Sequence, residues 1–316
     1  MNLAYSCEPM SLREDAQNRI LISAALPSFC YPIASFHGNA GLAEGFDLDQ
    51  TLYQLKIIVQ SKEKFQYKLM VIFLLVLCTL LPAPASTVQR LSFDHASTSQ
   101  KVVALTFDAD MTPRMLSELK SGKVPSWYNE NVIATLRQQH VPANLFLTGL
   151  WIETYTAATK ELSDDPLFEL GNHSYSHGGF RSPCYGLAAI RESNEASEVQ
   201  RTDDLLKKYA TSYKKYFRFP GLCFDAEDVK RVETQGYLVV GGDVYGGDGF
   251  EKSPTKIVSN VLAHVHPGSI VILHMHGGPN APETANALFD IVRKLRLQGY
   301  TFVKVSDLLK LPGSRR

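Results

Sequence analysis

What this chain lacks narrows its class first. Its charges cancel, with 32 Lys and Arg against 32 Asp and Glu, so it has none of the basic excess that holds nucleic acid. It shows no internal repeat and no low-complexity tract, and at 45% apolar residues it does not have the profile of a disordered chain. No apolar run reaches the roughly 20 residues that a membrane helix needs; the run 69–81 has 13. Cysteine is scarce, at five. What remains is one enzyme-sized globular unit with something extra at its front.

The extra part concerns location. The run 69–81 (LMVIFLLVLCTLL) is preceded by Lys62, Lys64 and Lys68 and followed by Pro82, Ala83, Pro84, Ala85 and Ser86. A basic lead, a short apolar core and small residues before Ser86 read as a secretory signal peptide over 59–85. Leu77 precedes Cys78 where a lipoprotein signal wants Gly, Ala or Ser, which argues against a lipid anchor. Residues 1–58 have mixed composition and no assignable motif, as expected of an overextended reading frame whose start lies nearer Val59 or Met70. They are expected to have no packed fold of their own. Cleavage leaves 86–316 in the periplasm, in the envelope or outside the cell, with no stable membrane span; uncleaved, the run would anchor the protein to the membrane. Only Cys184 and Cys223 survive cleavage, and an oxidising compartment admits a disulfide between them. Two separate thiols is the alternative.

From residue 87 onward, short apolar runs alternate with amphipathic stretches. Strands are predicted over 102–107, 143–147, 167–172, 216–219, 237–241, 269–273 and 300–303, and helices over 129–139, 185–209, 226–235, 254–265 and 282–298. The alternation argues an α/β fold with a parallel sheet, and about seven parallel strands in this length argue closure into a barrel. The segment Gly171 to His177 (GNHSYSH) carries two histidines four apart, which share one face if the segment opens a helix and can then reach one metal ion. Upstream, the strand ending at Phe107 delivers Asp108 and Asp110; downstream, another ends in His274. Carboxylates and histidines at strand ends describe a barrel mouth.

The ordered segments VALTFDAD, VIATLRQQHVPANLFLTG, GNHSYSH, FRFP, GGDVYGGDG and SIVILHMH, spread over about residues 100–307, resemble the polysaccharide deacetylases of carbohydrate esterase family four, the NodB-homology domain. The resemblance implies a distorted (β/α) barrel, a divalent metal and hydrolysis of N-acetyl groups on amino sugars. It makes Asp108 the general base, Arg218 the arginine that holds it, His274 the acid that protonates the leaving nitrogen, and Asp248 or Asp243 the carboxylate that tunes that acid. His173 and His177 become metal ligands, and a backbone N–H near Gly221 becomes an oxyanion donor. Taken singly these residues also have bland readings: Asp108 as a helix cap, Arg218 in a surface ion pair, Asp243 and Asp248 as turn residues among glycines. His264 and His266 are read as structural or solvated, and His276 as a residue that lines the pocket if its strand continues.

Three departures from the family pattern stand out. Ala109 occupies the place of the second of two adjacent aspartates, the third motif reads Arg218-Phe219-Pro220-Gly221-Leu222, and Gly249 stands where a tryptophan is usual. Side chains alternate along a strand, so Asp110 shares a face with Asp108 if the extended backbone persists, and Asp110 is the predicted third ligand; two histidines with waters is the rival. Two imidazoles and a carboxylate suit Zn²⁺, while Ni²⁺, Co²⁺ and Mn²⁺ accept the same ligands. The substrate implied is an envelope polysaccharide, peptidoglycan first, with chitin oligomers, exopolysaccharide and O-acetyl esters open. A degraded barrel that binds glycan without turning it over is the reading from another class. A groove that admits a glycan chain is expected to expose aromatics, with Trp127 and Tyr128 first and Tyr175 and Tyr245 behind them. Mass spectrometry of the natural mature protein is expected to find Ser86 at its N-terminus; a peptide from residues 1–50 would overturn the signal-peptide assignment.

Overall fold

Everything in the catalytic-sized unit is laid out from one strand, β3 (Val102–Ala109). The structure, a computed structural model, describes residues 91–312 together with two short strands, β1 (Leu12–Glu14) and β2 (Ile20–Ile22), which pair antiparallel. The predicted signal peptide over 59–85 and the remainder of 1–58 lie outside the described residues. Among the described residues no helix is long and apolar enough to cross a membrane.

The remaining strands are β4 (Ala143–Leu147), β5 (Phe168–Asn172), β6 (Tyr216–Phe217), β7 (Leu238–Val239), β8 (Val244–Tyr245), β9 (Ile270–His274) and β10 (Thr301–Phe302). Six of them join β3 in one parallel sheet in the order β7-β6-β5-β4-β3-β9-β8, and β10 pairs with the start of β3. The two ends of that path are consecutive in the chain. Only residues 240–243 separate β7 from β8, far fewer than the dozen or more that a parallel crossover needs. They are therefore two halves of one bent strand that leaves the edge of β6 and joins the edge of β9, closing a distorted (β/α) barrel. Gly241 and Gly242 sit at the bend. A Cβ on Gly241 would collide with the Asp94 carboxylate, and one on Gly242 would lie 2.6 Å from Ile272 Cγ1. The extended segment 93–96 crosses this bend, bridging Phe93 to Val240 and His95 to Ser269.

Period-two alternation explains how β3 serves two environments at once. Val103, Leu105, Phe107 and Ala109 pack outward in a cluster with Val132, Ile133 and Leu136 of the helix Glu130–Gln138 and with Leu288 and Ile291 of the helix Thr284–Leu297. Ala104 faces inward with Phe146, Val240 and Ile270, and Thr106 donates to the Val271 carbonyl at 2.7 Å. Pairing with β4 runs on through Ala109 and pairing with β9 through Asp108 opposite His274, so β3 extends two residues beyond the predicted Phe107.

Most predicted elements are found with shifted ends. Two differences matter. The helix expected over 185–209 begins only at Glu192, because residues 178–190 form a loop stapled by the Cys184–Cys223 disulfide (Cα–Cα 5.9 Å). Trp127, expected to line an exposed groove, is instead a core residue at 1% exposure. Its indole N–H donates to the Met115 carbonyl at 2.8 Å, and its ring leaves no room for a side chain on Gly278. Replacing a buried aromatic by alanine loses both transfer energy and packing. Trp127→Ala is expected to cost about 3–5 kcal/mol in urea unfolding; a loss under about 1 kcal/mol would restore it to the surface.

Candidate active site

Two carboxylates at the end of β3 organise the barrel mouth. Asp108 is 5% exposed and Asp110 8%, and two families of partners surround them. Arg218, fully buried just after β6, places Nη1 2.7 Å from Asp108 Oδ1. Its Nε and Nη2 donate to the carbonyls of Val240 and Gly241 at 3.3 and 2.8 Å, and its guanidinium lies 4.1 Å from the Phe146 ring centroid. The bend between β7 and β8 thus supplies the acceptors that let an arginine sit inside the barrel.

Asp110 stands among histidines. Its Oδ1 lies 3.4 Å from His173 Nε2 and 3.2 Å from His177 Nε2, while Oδ2 lies 3.5 Å from His276 Nδ1 and 4.0 Å from His274 Nε2. Burial pushes the Asp110 carboxyl upward, but His177, His276 and His173 outweigh it and hold the group well below the usual carboxylate range. His173 is drawn down by burial and up by Asp108, Asp110 and the Arg218 carbonyl, with a net rise. His276 is the opposite case: burial lowers it to about 4, so its imidazole is neutral at physiological pH.

The residues fit a metal ion. Oδ1 of Asp110 is buried without a well-formed hydrogen bond, and one donor atom each from Asp110, His173 and His177 fall within 4.8 Å of one another. Ligands about 2.1 Å from one zinc-sized ion are themselves separated by about 3–3.5 Å, the spacing of Asp110 Oδ1 from each imidazole. His173 Nδ1 faces the Arg218 carbonyl at 2.8 Å, which leaves Nε2 to turn toward the carboxylate.

The histidines do not share a helix face, and that expectation is corrected. β5 ends at Asn172, and the chain turns through positive φ at Ser174 (68°) and His177 (56°). Glu198, on the helix Glu192–Tyr209, shapes the turn: one carboxylate oxygen accepts from the Tyr175 and Ser176 amides at 3.0 and 2.8 Å and from the Ser174 hydroxyl at 2.7 Å. Asn172 adds an acceptor for the Ser174 amide at 2.9 Å. Glu198 carried no signal in the sequence, since a single acid on an amphipathic helix looks like any solvated one.

The second acid-base pair joins His274 to Asp248. Asp248 is fully buried; its Oδ1 lies 2.9 Å from His274 Nδ1, and its Oδ2 accepts the His274 amide at 2.8 Å and the Thr284 hydroxyl at 2.6 Å. Burial alone would lower His274, but Asp248, Asp110 and Asp108 raise it to about 10. Asp243, the other predicted partner, is not here. Its carboxylate accepts from the Ile270 amide and the Ser269 hydroxyl at the start of β9, because it sits in the bend before β8 rather than in the loop beyond it.

The remaining predicted residues scatter. Tyr175 is 8% exposed, its hydroxyl donating to Glu153 at 2.9 Å, and Tyr128 packs edge-on against Trp151, so neither is an exposed platform. Tyr245 is 54% exposed. Gly221 takes φ 60° in the turn Pro220–Leu222, where a Cβ would lie 2.6 Å from Cys184 Sγ. Among the described residues the most exposed large aromatics are Tyr185 and Phe250, at 74% each with ring centroids 5.9 Å apart.

Comparisons with known proteins agree with this geometry. The polysaccharide deacetylase family model matches residues 95–240. A peptidoglycan-N-acetylglucosamine deacetylase of Bacillus cereus is 26% identical over 238 residues, covering 74% of this chain and 78% of that protein. A peptidoglycan-N-acetylmuramic acid deacetylase of Bacillus subtilis is 26% identical over 221 residues, covering 69% and 75%. In fold, the chain resembles the crystal structure of a CE4 family pseudoenzyme from Bacillus anthracis, with TM-score 0.56 at 23% identity over 69% of this chain and 68% of that one.

The His274–Asp248 pair has a testable titration. A raised histidine stabilises the fold while protonated, an effect complete below about 6.5 and lost as pH rises through the folded value. In the metal-free protein, NMR titration of His274 is expected to have its midpoint near 10, and Asp248→Asn to draw it toward 6.5; an unmoved midpoint would remove Asp248 as the cause.

Proposed function

We propose that this chain, whose residues 95–240 match the polysaccharide deacetylase family model, is a metal-dependent hydrolase that removes N-acetyl groups from amino sugars of a cell-envelope polysaccharide, peptidoglycan first. The observation that carries this reading is the convergence of Asp110, His173 and His177 between two separate acid-base pairs, Asp108–Arg218 and His274–Asp248. The cofactor is a divalent ion, Zn²⁺ by the donor set, with Ni²⁺, Co²⁺ and Mn²⁺ as alternatives. When bound, it polarises the acetyl carbonyl and lowers the pKa of water.

The side chains divide the proton work. Arg218 occupies Asp108 Oδ1, which leaves Oδ2 to take a proton from the attacking water as its oxygen bonds to the acetyl carbon. His274, protonated through the neutral range, presents Nε2 because Asp248 holds Nδ1. Nε2 gives its proton to the sugar nitrogen, the carbon–nitrogen bond breaks, and acetate and a free amine leave. The backbone N–H at Gly221 is the proposed second donor to the developing oxyanion. The relatives that act on peptidoglycan, together with the predicted signal peptide, support an enzyme that works in the envelope or outside the cell.

A second reading keeps the barrel and drops the chemistry. Ala109, where the family carries an aspartate, and the fold likeness to a pseudoenzyme favour a glycan-binding protein without turnover. Acetate release from zinc-supplemented enzyme on peptidoglycan, chitin oligomers and O-acetylated glycan separates the two. Turnover on an N-acetylated glycan is expected, with Asp108→Asn lowering kcat by about 10²- to 10⁴-fold. Asp110→Ala is expected to hold one zinc equivalent fewer than wild type by elemental analysis. Binding of glycan with no acetate released would establish the pseudoenzyme, and full zinc occupancy in Asp110→Ala would remove Asp110 as a ligand.

A further inference from the structure

The far end of β9 carries a second convergence of metal-binding side chains. His95, Asp243 and His266 each offer a donor atom, and these lie within 4.8 Å of one another. They come from three places in the chain: the segment 93–96, the bend before β8, and the turn before β9. His266 Nε2 is 2.7 Å and His95 Nδ1 3.6 Å from the same oxygen, Asp243 Oδ2, and the two imidazoles stand edge to face with centroids 5.3 Å apart. His274 lies at the opposite end of the strand, about 13 Å away at 3.3 Å per residue.

The hydrogen bonds around the cluster point to a cation. His266 Nδ1 faces the Pro267 carbonyl at 3.1 Å, and a neutral imidazole has one N–H. Once that N–H is given to the carbonyl, Nε2 turns a lone pair toward a carboxylate oxygen 2.7 Å away. Two lone pairs facing each other need a positive charge between them: a proton at 2.7 Å, or a metal ion when the two atoms stand about 3–3.5 Å apart as zinc ligands do. Asp243 is itself oriented, with Oδ1 accepting the Ile270 amide at 2.9 Å and Oδ2 the Ser269 hydroxyl at 3.2 Å. A ligating histidine commonly gives its other ring N–H to a backbone carbonyl, as His266 does to Pro267 here and His173 to Arg218 at the barrel mouth.

We propose that His95, Asp243 and His266 bind a divalent cation of the zinc kind, and that this ion clamps the segment 93–96 across the bend between β7 and β8. Two imidazoles and one carboxylate are a zinc donor set with a fourth position left for water. His266 is half exposed, which gives an ion a path in. The three ligands tie together the parts of the chain that close the barrel, so the ion acts on stability and takes no part in the reaction at the mouth.

Zinc binding to the full chain tests this without reference to turnover. After dialysis against Zn²⁺, wild type is expected to hold two equivalents by elemental analysis, His266→Gln one, and the double variant His173→Gln/His177→Gln one. In that double variant, Zn²⁺ is expected to raise the melting temperature, and adding His266→Gln to abolish both the ion and the rise. If the double variant fails to fold, the two-to-one difference between wild type and His266→Gln alone decides the matter. A wild type limited to one equivalent, or a second equivalent that survives His266→Gln, would overturn the proposal and leave a proton, hence an imidazolium–carboxylate pair, at the cluster.

Discussion

Two negative charges buried at the end of one strand are the constraint from which the rest of the barrel mouth follows. An uncompensated buried carboxylate is so unfavourable that it must find a cation, a proton or a set of donors. Asp108 takes the guanidinium of Arg218; Asp110 takes imidazoles. Removing one partner from such a buried pair typically costs about 3–5 kcal/mol. Arg218 in turn needs acceptors for its other nitrogens, and the carbonyls of Val240 and Gly241 provide them only because the chain bends there from β6 to β9. The closure of the barrel and the placement of the Asp108–Arg218 pair are thus one feature.

The two histidine environments show how burial and charge sort roles among chemically identical side chains. His274 and His276 are two residues apart and both beside Asp110, yet one is raised to about 10 and the other lowered to about 4. Asp248 makes the difference. It contacts His274 through both ring and backbone, whereas burial dominates His276. An imidazolium able to give up a proton and a neutral imidazole therefore sit side by side, which is the separation of protonation states that acid-base chemistry requires.

Second-layer residues carry much of this design. Glu198 holds the His173–His177 turn through backbone amides, and Thr284 fixes the oxygen of Asp248 that His274 Nδ1 does not use. Neither faces the centre of the barrel mouth, but each sets the direction of a group beside it.

Much of the architecture was determined by the sequence alone. Alternating apolar runs and amphipathic stretches mark a parallel barrel because strand and helix periods are imposed locally, and β3 reads directly as a strand that ends in carboxylates. The same period of two put Asp110 on the face of Asp108, and it holds because pairing with β9 through Asp108 and with β4 through Ala109 keeps the backbone extended. Tertiary structure alone decided the rest. That Trp127 lies in the core, that Asp248 rather than Asp243 meets His274, that the histidines meet through a left-handed turn, and that β7 and β8 are halves of one bent strand all depend on residues distant in the chain. A periodicity reports which face a side chain takes on its own element; what lies opposite that face is set by where the other elements come to rest.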